Sequence, residues 1–387
     1  MTHDDLARAL IALGLALATG CGTTSSSPPA KTSTTAIAPT TSQSPTSPQT
    51  TSPSPATSPA TTPPATGTPW QPSLPNAAAA AIAVDPVTPA TVYAATAQGV
   101  EKTTDAGATW KDASAGLPST VVSALAIDPS QPSTVFCGSP GGVAKSTDGG
   151  ATWASVIAGR NVLAIAIDPT TTANVYAGLD DGSIEKSADG GATWARTATG
   201  VSAPIVAIAI DPTAPATLYL ATGGAQITGP GPGGLLRSTD GGATFTDLMN
   251  GLANVWRAVV VDPLTKSVYA ASDMVSNPAT GASIGLVARS TDGGATWTQL
   301  TGFPSGSVAG LVLDPTTAGT LYTFGLGGVL VSVDSGATFA DAGDGLIPAN
   351  IGGIPVTTAL AIDPRAPLTL YSSSQMVGIE KTTTGGR

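Results

Sequence analysis

From residue 77 onward, short apolar runs recur along the chain, each too short for an ordinary helix and each ending in Asp-Pro. The aspartates are Asp85, Asp128, Asp168, Asp211, Asp262, Asp314 and Asp363, spaced 43, 40, 43, 51, 52 and 49 residues apart. Pro fixes φ at the second position of a turn while Asp caps from the first, so each copy predicts a strand running into a tight turn. A β-rich run with one aromatic residue follows each turn: Tyr93, Phe136, Tyr176, Tyr219, Tyr269, Tyr322 and Tyr371. A polar signal then closes most units. It is TTDAGATW at Thr103–Trp110, with further copies starting at Ser146, Ser187, Ser238, Ser290 and Ser332. It reads as a hairpin in which Asp accepts hydrogen bonds from turn N–H groups, Gly supplies positive φ, and the last aromatic adds apolar area. We call it the aspartate hairpin. Each unit is strand A, Asp-Pro turn, strand B, loop, strand C, aspartate hairpin, strand D. Units of about 40 to 50 residues are the period of four-stranded propeller blades. The expected fold is all-β, a seven-bladed propeller of antiparallel blades over residues 67–387.

The hairpin pattern Ser/Thr-x-Asp-x-Gly-x-Thr-Trp/Phe, centred on Asp105, Asp148, Asp189, Asp240, Asp292 and Asp334, resembles the Asp-box, or bacterial neuraminidase repeat. The resemblance covers everything after residue 66 and implies a propeller of the sialidase-like, sortilin-like and photosystem assembly-factor-like kind. The seventh copy, IEKTTTGGR, stops before its Thr-Trp, whereas GTPWQPSLPN at residues 67–76 aligns with the segment that follows the first hairpin. Trp70 then stands where the hairpin aromatic belongs. The N-terminal segment is expected to supply the outer strand of blade seven, leaving no free sheet edge.

Composition narrows the chemistry. The net charge of −10 gives no basic footprint for nucleic acid. The single His lies at position 3, so the head has no imidazole for acid–base work or metal ligation. No cofactor or metal is expected, and the head is expected to be monomeric. Residues 1–20 hold an apolar run of signal-peptide length that ends in small residues before Cys21. This resembles a bacterial lipoprotein signal, which implies that Cys21 receives lipid and that the chain is exported and anchored to the cell envelope. Residues 21–66 are almost wholly Ser, Thr, Pro and Ala, too poor in apolar surface to fold. As a flexible coil they make a spacer of roughly 35–40 Å. Cys137, in a strand-B slot, reads as a buried free thiol.

Subtracting the repeat isolates what is particular to this chain. All six Tyr share the strand-B slot, and Glu101, Glu185 and Glu380 share one strand-C slot. Lys102, Lys145, Lys186, Arg237, Arg289 and Lys381 share the position before the hairpin, which reads as surface ion pairing. The Tyr nucleophile and arginine cluster implied by a sialidase resemblance are therefore missing as a set. Xyloglucanase-like relatives use Asp pairs but carry two propellers, and this chain has length for one. Loops between strands B and C lengthen near 223–234 and 272–285, and the step from blade six to seven is long. All three project on the face of the B–C and D–A loops, opposite the two kinds of turn. Loops on a rigid scaffold carry function more often than its repeat turns. The candidates there are Trp256, Arg257, Arg160, Asp180, Asp181 and Asp273, with Asn254 and Met274 beside them. Trp256 can stack on a sugar or a partner side chain and the arginines can pair with an anion. Two functions are in view: a non-catalytic binding or assembly module for a glycan or protein ligand, and a glycoside hydrolase using an Asp pair on the loop face.

Overall fold

The structure is a computed structural model that describes residues 68–223, 234–248, 255–276, 283–300, 307–347 and 356–387, without the side chains of 273–276 and 283–284. The signal, Cys21, the spacer, Asn254 and most of the three loop extensions lie outside the described residues. The described residues form seven four-stranded antiparallel sheets in a ring and contain no helix. Blade one is Ala79–Val84, Val92–Thr96, Gly99–Thr103 and Lys111–Asp112, and the next five blades repeat this order. Blade seven consists of Thr357–Ile362, Leu370–Ser374 and Gly378–Thr382, with Gln71–Pro75 as its outer strand.

The core is distributed rather than central. Seven apolar clusters each bridge two neighbouring blades, and every strand-B aromatic is almost wholly buried within one of them or beside it. Burying an aromatic side chain of this size contributes about 2–3 kcal/mol. Cys137 belongs to the seam of blades one and two, and burial pushes its thiol up to about 12.

Local chemistry explains the turns. In every Asp-Pro turn the aspartate Oδ1 accepts two backbone N–H groups, those of Val87 and Thr88 in blade one and of Arg365 and Ala366 in blade seven. In the hairpin of blade two, Asp148 Oδ1 accepts the Ser146 hydroxyl at 2.7 Å and the Thr152 N–H at 2.9 Å, while Oδ2 accepts the Thr152 hydroxyl at 2.6 Å. The Ser146 hydroxyl in turn accepts the Gly150 N–H. These bonds, the Thr152 hydroxyl first, hold Asp148 down to about 2. Hairpin and Asp-Pro turn are bonded to each other, Gly149 N–H donating to Ser133 O and Gly190 N–H to Ala173 O, so both lie on one face of the ring. We call it the turn face and the opposite one the loop face.

The basic residues before the hairpins are not surface partners of the glutamates, which corrects the sequence expectation. Lys102, Lys145 and Lys186 lie over the aromatic ring of their own blade and donate to a hairpin carbonyl of the next blade, at Gly149, Gly190 and Gly241. Lys381 of blade seven does the same to Ala106 of blade one. A cation placed over a ring and on a carbonyl ties one blade to the next. Blade six has Val331 in that slot, and there Arg387 interacts with Tyr322.

At the split blade, Gln71 pairs with Lys381 and Pro75 with Gly378. Trp70 Nε1 donates to Ala342 O at 2.8 Å, just as Trp153 Nε1 donates to Ala113 O at 2.7 Å in an intact blade. Gly386 makes room for this: a Cβ there would lie 1.8 Å from Ala342 O. On the other flank, Trp110 Nε1 donates to Ser73 Oγ, and the Ser73 hydroxyl donates to Gly107 O.

Candidate functional site

The loop face gathers the ends of inner strands A, the B–C turns and the D–A loops, tied by bonds such as Asp180 N–H to Asn161 O and Gly159 N–H to Gly141 O. Arg160, Asp180 and Asp181 meet on this face at blade three. The Arg160 side chain is 43% exposed, and its Nε lies 3.9 Å from Oε1 of the nearly buried Glu185. That is an ion pair without a hydrogen bond, so the guanidinium can turn toward an incoming anion. Asp180 is exposed, and its Oδ2 accepts the Asn161 side-chain N–H at 3.0 Å.

Asp181 is a structural residue. Its Oδ1 accepts the N–H and hydroxyl of Ser183, and its Oδ2 pairs with Arg196. Burial opposes its ionisation, but the Ser183 bonds and Arg196 outweigh that and hold the carboxyl below the usual range. Arg196 also donates to Ser183 Oγ at 2.9 Å. The pair closes on itself, which removes Asp181 from the ligand candidates.

Trp256 is corrected more sharply. It is 0% exposed, lies in the seam of blades four and five, and packs its ring 6.4 Å from that of Trp297 at 36°. A ring with no exposed area cannot stack on a ligand. The sequence carried the signal: Trp256 stands six positions ahead of its Asp-Pro aspartate, as do Ala79, Val122, Val162, Ile205, Val308 and Thr357, all buried. Trp256 is the repeat's core slot, filled by a larger side chain.

The same register favours Arg257 and Arg160. Arg257, half-buried at the loop-face end of inner strand Trp256–Val261, occupies a slot that holds Ala80, Ser123, Leu163, Val206, Ala309 and Thr358 elsewhere. Arg160 occupies one that holds Ala77, Thr120, Ala203, Asn254, Gly306 and Pro355. Each is the one charged residue of its slot. Asp273 lies on strand Val268–Ser276 of blade five, where side chains are not described. Among the described residues no group of three His, Cys, Asp or Glu side chains could hold a metal ion.

The carboxyls pushed up lie on strands C. Burial, then Asp112 across the strand pair, raises Glu101, and burial raises Glu380, which accepts the Ile347 N–H. Their shared strand-C slot hides this in the sequence.

No protein-family model and no curated protein matches the chain. Solved structures do resemble it, at identities that speak to the fold alone. The GH74 enzyme of Niastella koreensis superposes with a TM-score of 0.65 at 19% identity, over 83% of this chain and 54% of that one. An ancestral GH74 enzyme gives 0.63 at 20% identity, over 80% of this chain and 46% of the other. The chain thus spans about half the length of these enzymes. YCF48 bound to D1 peptide gives 0.58 at 14% identity, over 81% of this chain and 96% of that one. All are seven-bladed propellers.

Proposed function

We propose that this chain is an extracytoplasmic binding or assembly head of Asp-box type, lipid-anchored through Cys21 on a disordered spacer, monomeric and non-catalytic, whose loop face takes an acidic glycan or protein ligand through Arg160 and Arg257. The observation that carries the reading is the pair of slot departures: two arginines stand at the loop-face ends of inner strands where the repeat needs only small or neutral side chains. The commitment of carboxylates outside the repeat motifs argues against catalysis. Asp112, Asp180, Asp181 and Asp341 each accept a hydrogen bond from their own turn or the adjoining loop. YCF48, a propeller covered almost end to end, is a peptide binder by its description, which supports the reading by analogy of fold alone.

The second reading is a glycoside hydrolase. The GH74-like fold favours it, as does Glu101, whose raised carboxyl faces Asp112 across strands C and D. The test is incubation of the full chain with neutral and uronic-acid oligosaccharides and acidic peptides, reading thermal shift and cleavage products together. Stabilisation by an acidic ligand without cleavage is expected. Cleavage abolished by Glu101→Gln or Asp180→Asn would replace the binding reading with the hydrolase one.

A further inference from the structure

Glu185 stands on strand Ser183–Ser187, the third strand of blade three. It pairs with Ala177, a member of the apolar cluster that joins blades two and three, so its carboxyl shares that seam. Only 7% of the residue is exposed. The slot needs no charge, because four other blades fill it with Ala144, Leu236, Ala288 and Leu330. An ionised carboxyl at such depth calls for a compensating cation. Arg160 supplies it from the loop face, with Nε 3.9 Å from Oε1, close enough for charge and too far for a hydrogen bond. The other charged groups around Glu185 are committed elsewhere. Arg196, directly across the strand pair, is closed on Asp181 and Ser183. Lys145 reaches into the seam from blade two and donates to Gly190 O. Asp180 and Asp181, in the turn ahead of the strand, add only negative charge and are bonded to Asn161 and Ser183.

The same slot without an arginine can be read in two other blades. Glu101 and Glu380 occupy it where the position of Arg160 holds Ala77 and Pro355, and burial first of all pushes both carboxyls up. Blade three alone combines the buried glutamate with the arginine. The arginine is also the mobile partner of the two, its side chain being 43% exposed against 9% for the glutamate. We infer that Glu185 is a positioning residue of the loop-face site: it holds Arg160 as an internal counter-anion, an acidic ligand draws the guanidinium away, and the carboxyl left behind takes up a proton from solvent. This rests on the proposed binding role of Arg160 and deepens it. One proton enters per anion bound at Arg160, and no covalent bond of the ligand changes. Because the liganded head then holds more protons than the free one, affinity for the anion rises as pH falls.

The test is calorimetric titration of the full chain with a uronic-acid oligosaccharide between about pH 7.5 and about 5.5, in two buffers of different ionisation heat so that protons are counted. No imidazole of the head interferes, the one His being His3. The wild-type chain is expected to bind several-fold more tightly at the lower pH, with net proton uptake. Glu185→Gln is expected to bind more tightly than wild type at the higher pH and to lose both the pH dependence and the uptake. Glu185→Ala, which restores the residue of two other blades, is expected to do the same. Glu101→Gln and Glu380→Gln are expected to leave the dependence in place. Binding that needs Arg160 but is unchanged or weakened by Glu185→Gln, or that keeps its pH dependence there, overturns the role of Glu185 and leaves the loop-face reading standing. Absence of binding by wild type and Glu185→Gln alike overturns the loop-face reading, and this inference with it. Without ligand, Arg160→Ala and Glu185→Gln are expected to be non-additive in the unfolding midpoint; additive effects overturn the pairing.

Discussion

The turn face and the loop face are built by the same seven repeats and carry opposite kinds of information. On the turn face, side chains recur blade after blade and answer one another: aspartate to threonine hydroxyl, lysine to the next hairpin carbonyl, tyrosine beneath lysine. A residue there is explained once its slot is known. On the loop face the slots vary in chemistry from blade to blade, and Arg160 and Arg257 stand where other blades place small or neutral residues. In a repeat fold, a site is recognised by departure from the slot rather than by residue type.

The comparison is broken most severely at the split blade. Deleting residues 67–76 removes Trp70 from the seam of blades six and seven and exposes the edge of Gly378–Thr382. The expected result is loss of the single cooperative melting transition; an unchanged melting curve would mean that the outer strand is dispensable. Trp256→Ala comes next, with an expected loss of about 3–5 kcal/mol in denaturant unfolding, the range for deleting a buried large aromatic. A tryptophan serving a ligand would leave the unfolding midpoint in place. Lys145→Met keeps the stem over Phe136 but removes the bond to Gly190 O, for an expected loss of about 1 kcal/mol.

The hairpin carboxylates sharpen the comparison through pH. Asp105, Asp148, Asp189 and Asp292 are held down to about 2, their threonine hydroxyls contributing most. A carboxyl depressed in the folded state contributes stability that is fully present above its ordinary value near 4 and is lost as pH falls toward 2. As far as these carboxylates decide it, melting temperature should therefore be flat from pH 7 to about 4 and fall below that. Asp148→Asn should lower the melting temperature at pH 7 and flatten that acid limb; an unaltered limb contradicts the assignment.

Most of the scaffold was legible because its signals are local. An Asp-Pro turn or an aspartate hairpin closes within a few residues, so sequence spacing alone counts seven blades and locates Trp70 as the missing hairpin aromatic. The lysines were misread because their partner lies a blade away: sequence shows that Lys102 and Lys145 share a slot, but not that each reaches a carbonyl more than forty positions on. Trp256 was misread for another reason. It is the one tryptophan away from a hairpin aromatic slot, and that rarity of residue type hides a position, six ahead of Asp-Pro, that is buried in every blade. Asp181 was not legible at all, since its partner Arg196 lies across the blade at strand D.

The most direct measurement of the central claim is a ligand-induced thermal shift on matched variants of the two faces. The probe is the uronic-acid oligosaccharide or acidic peptide that stabilises the wild-type chain most. Arg160→Ala combined with Arg257→Ala is expected to abolish that shift, with the ligand-free effect of Arg160→Ala within about 1 kcal/mol because its guanidinium is exposed and its ion pair is long. Lys145→Met on the turn face is expected to keep the shift in full while lowering the baseline. A shift that survives in the arginine double variant, or that disappears with Lys145→Met, would contradict the assignment of binding to the loop face.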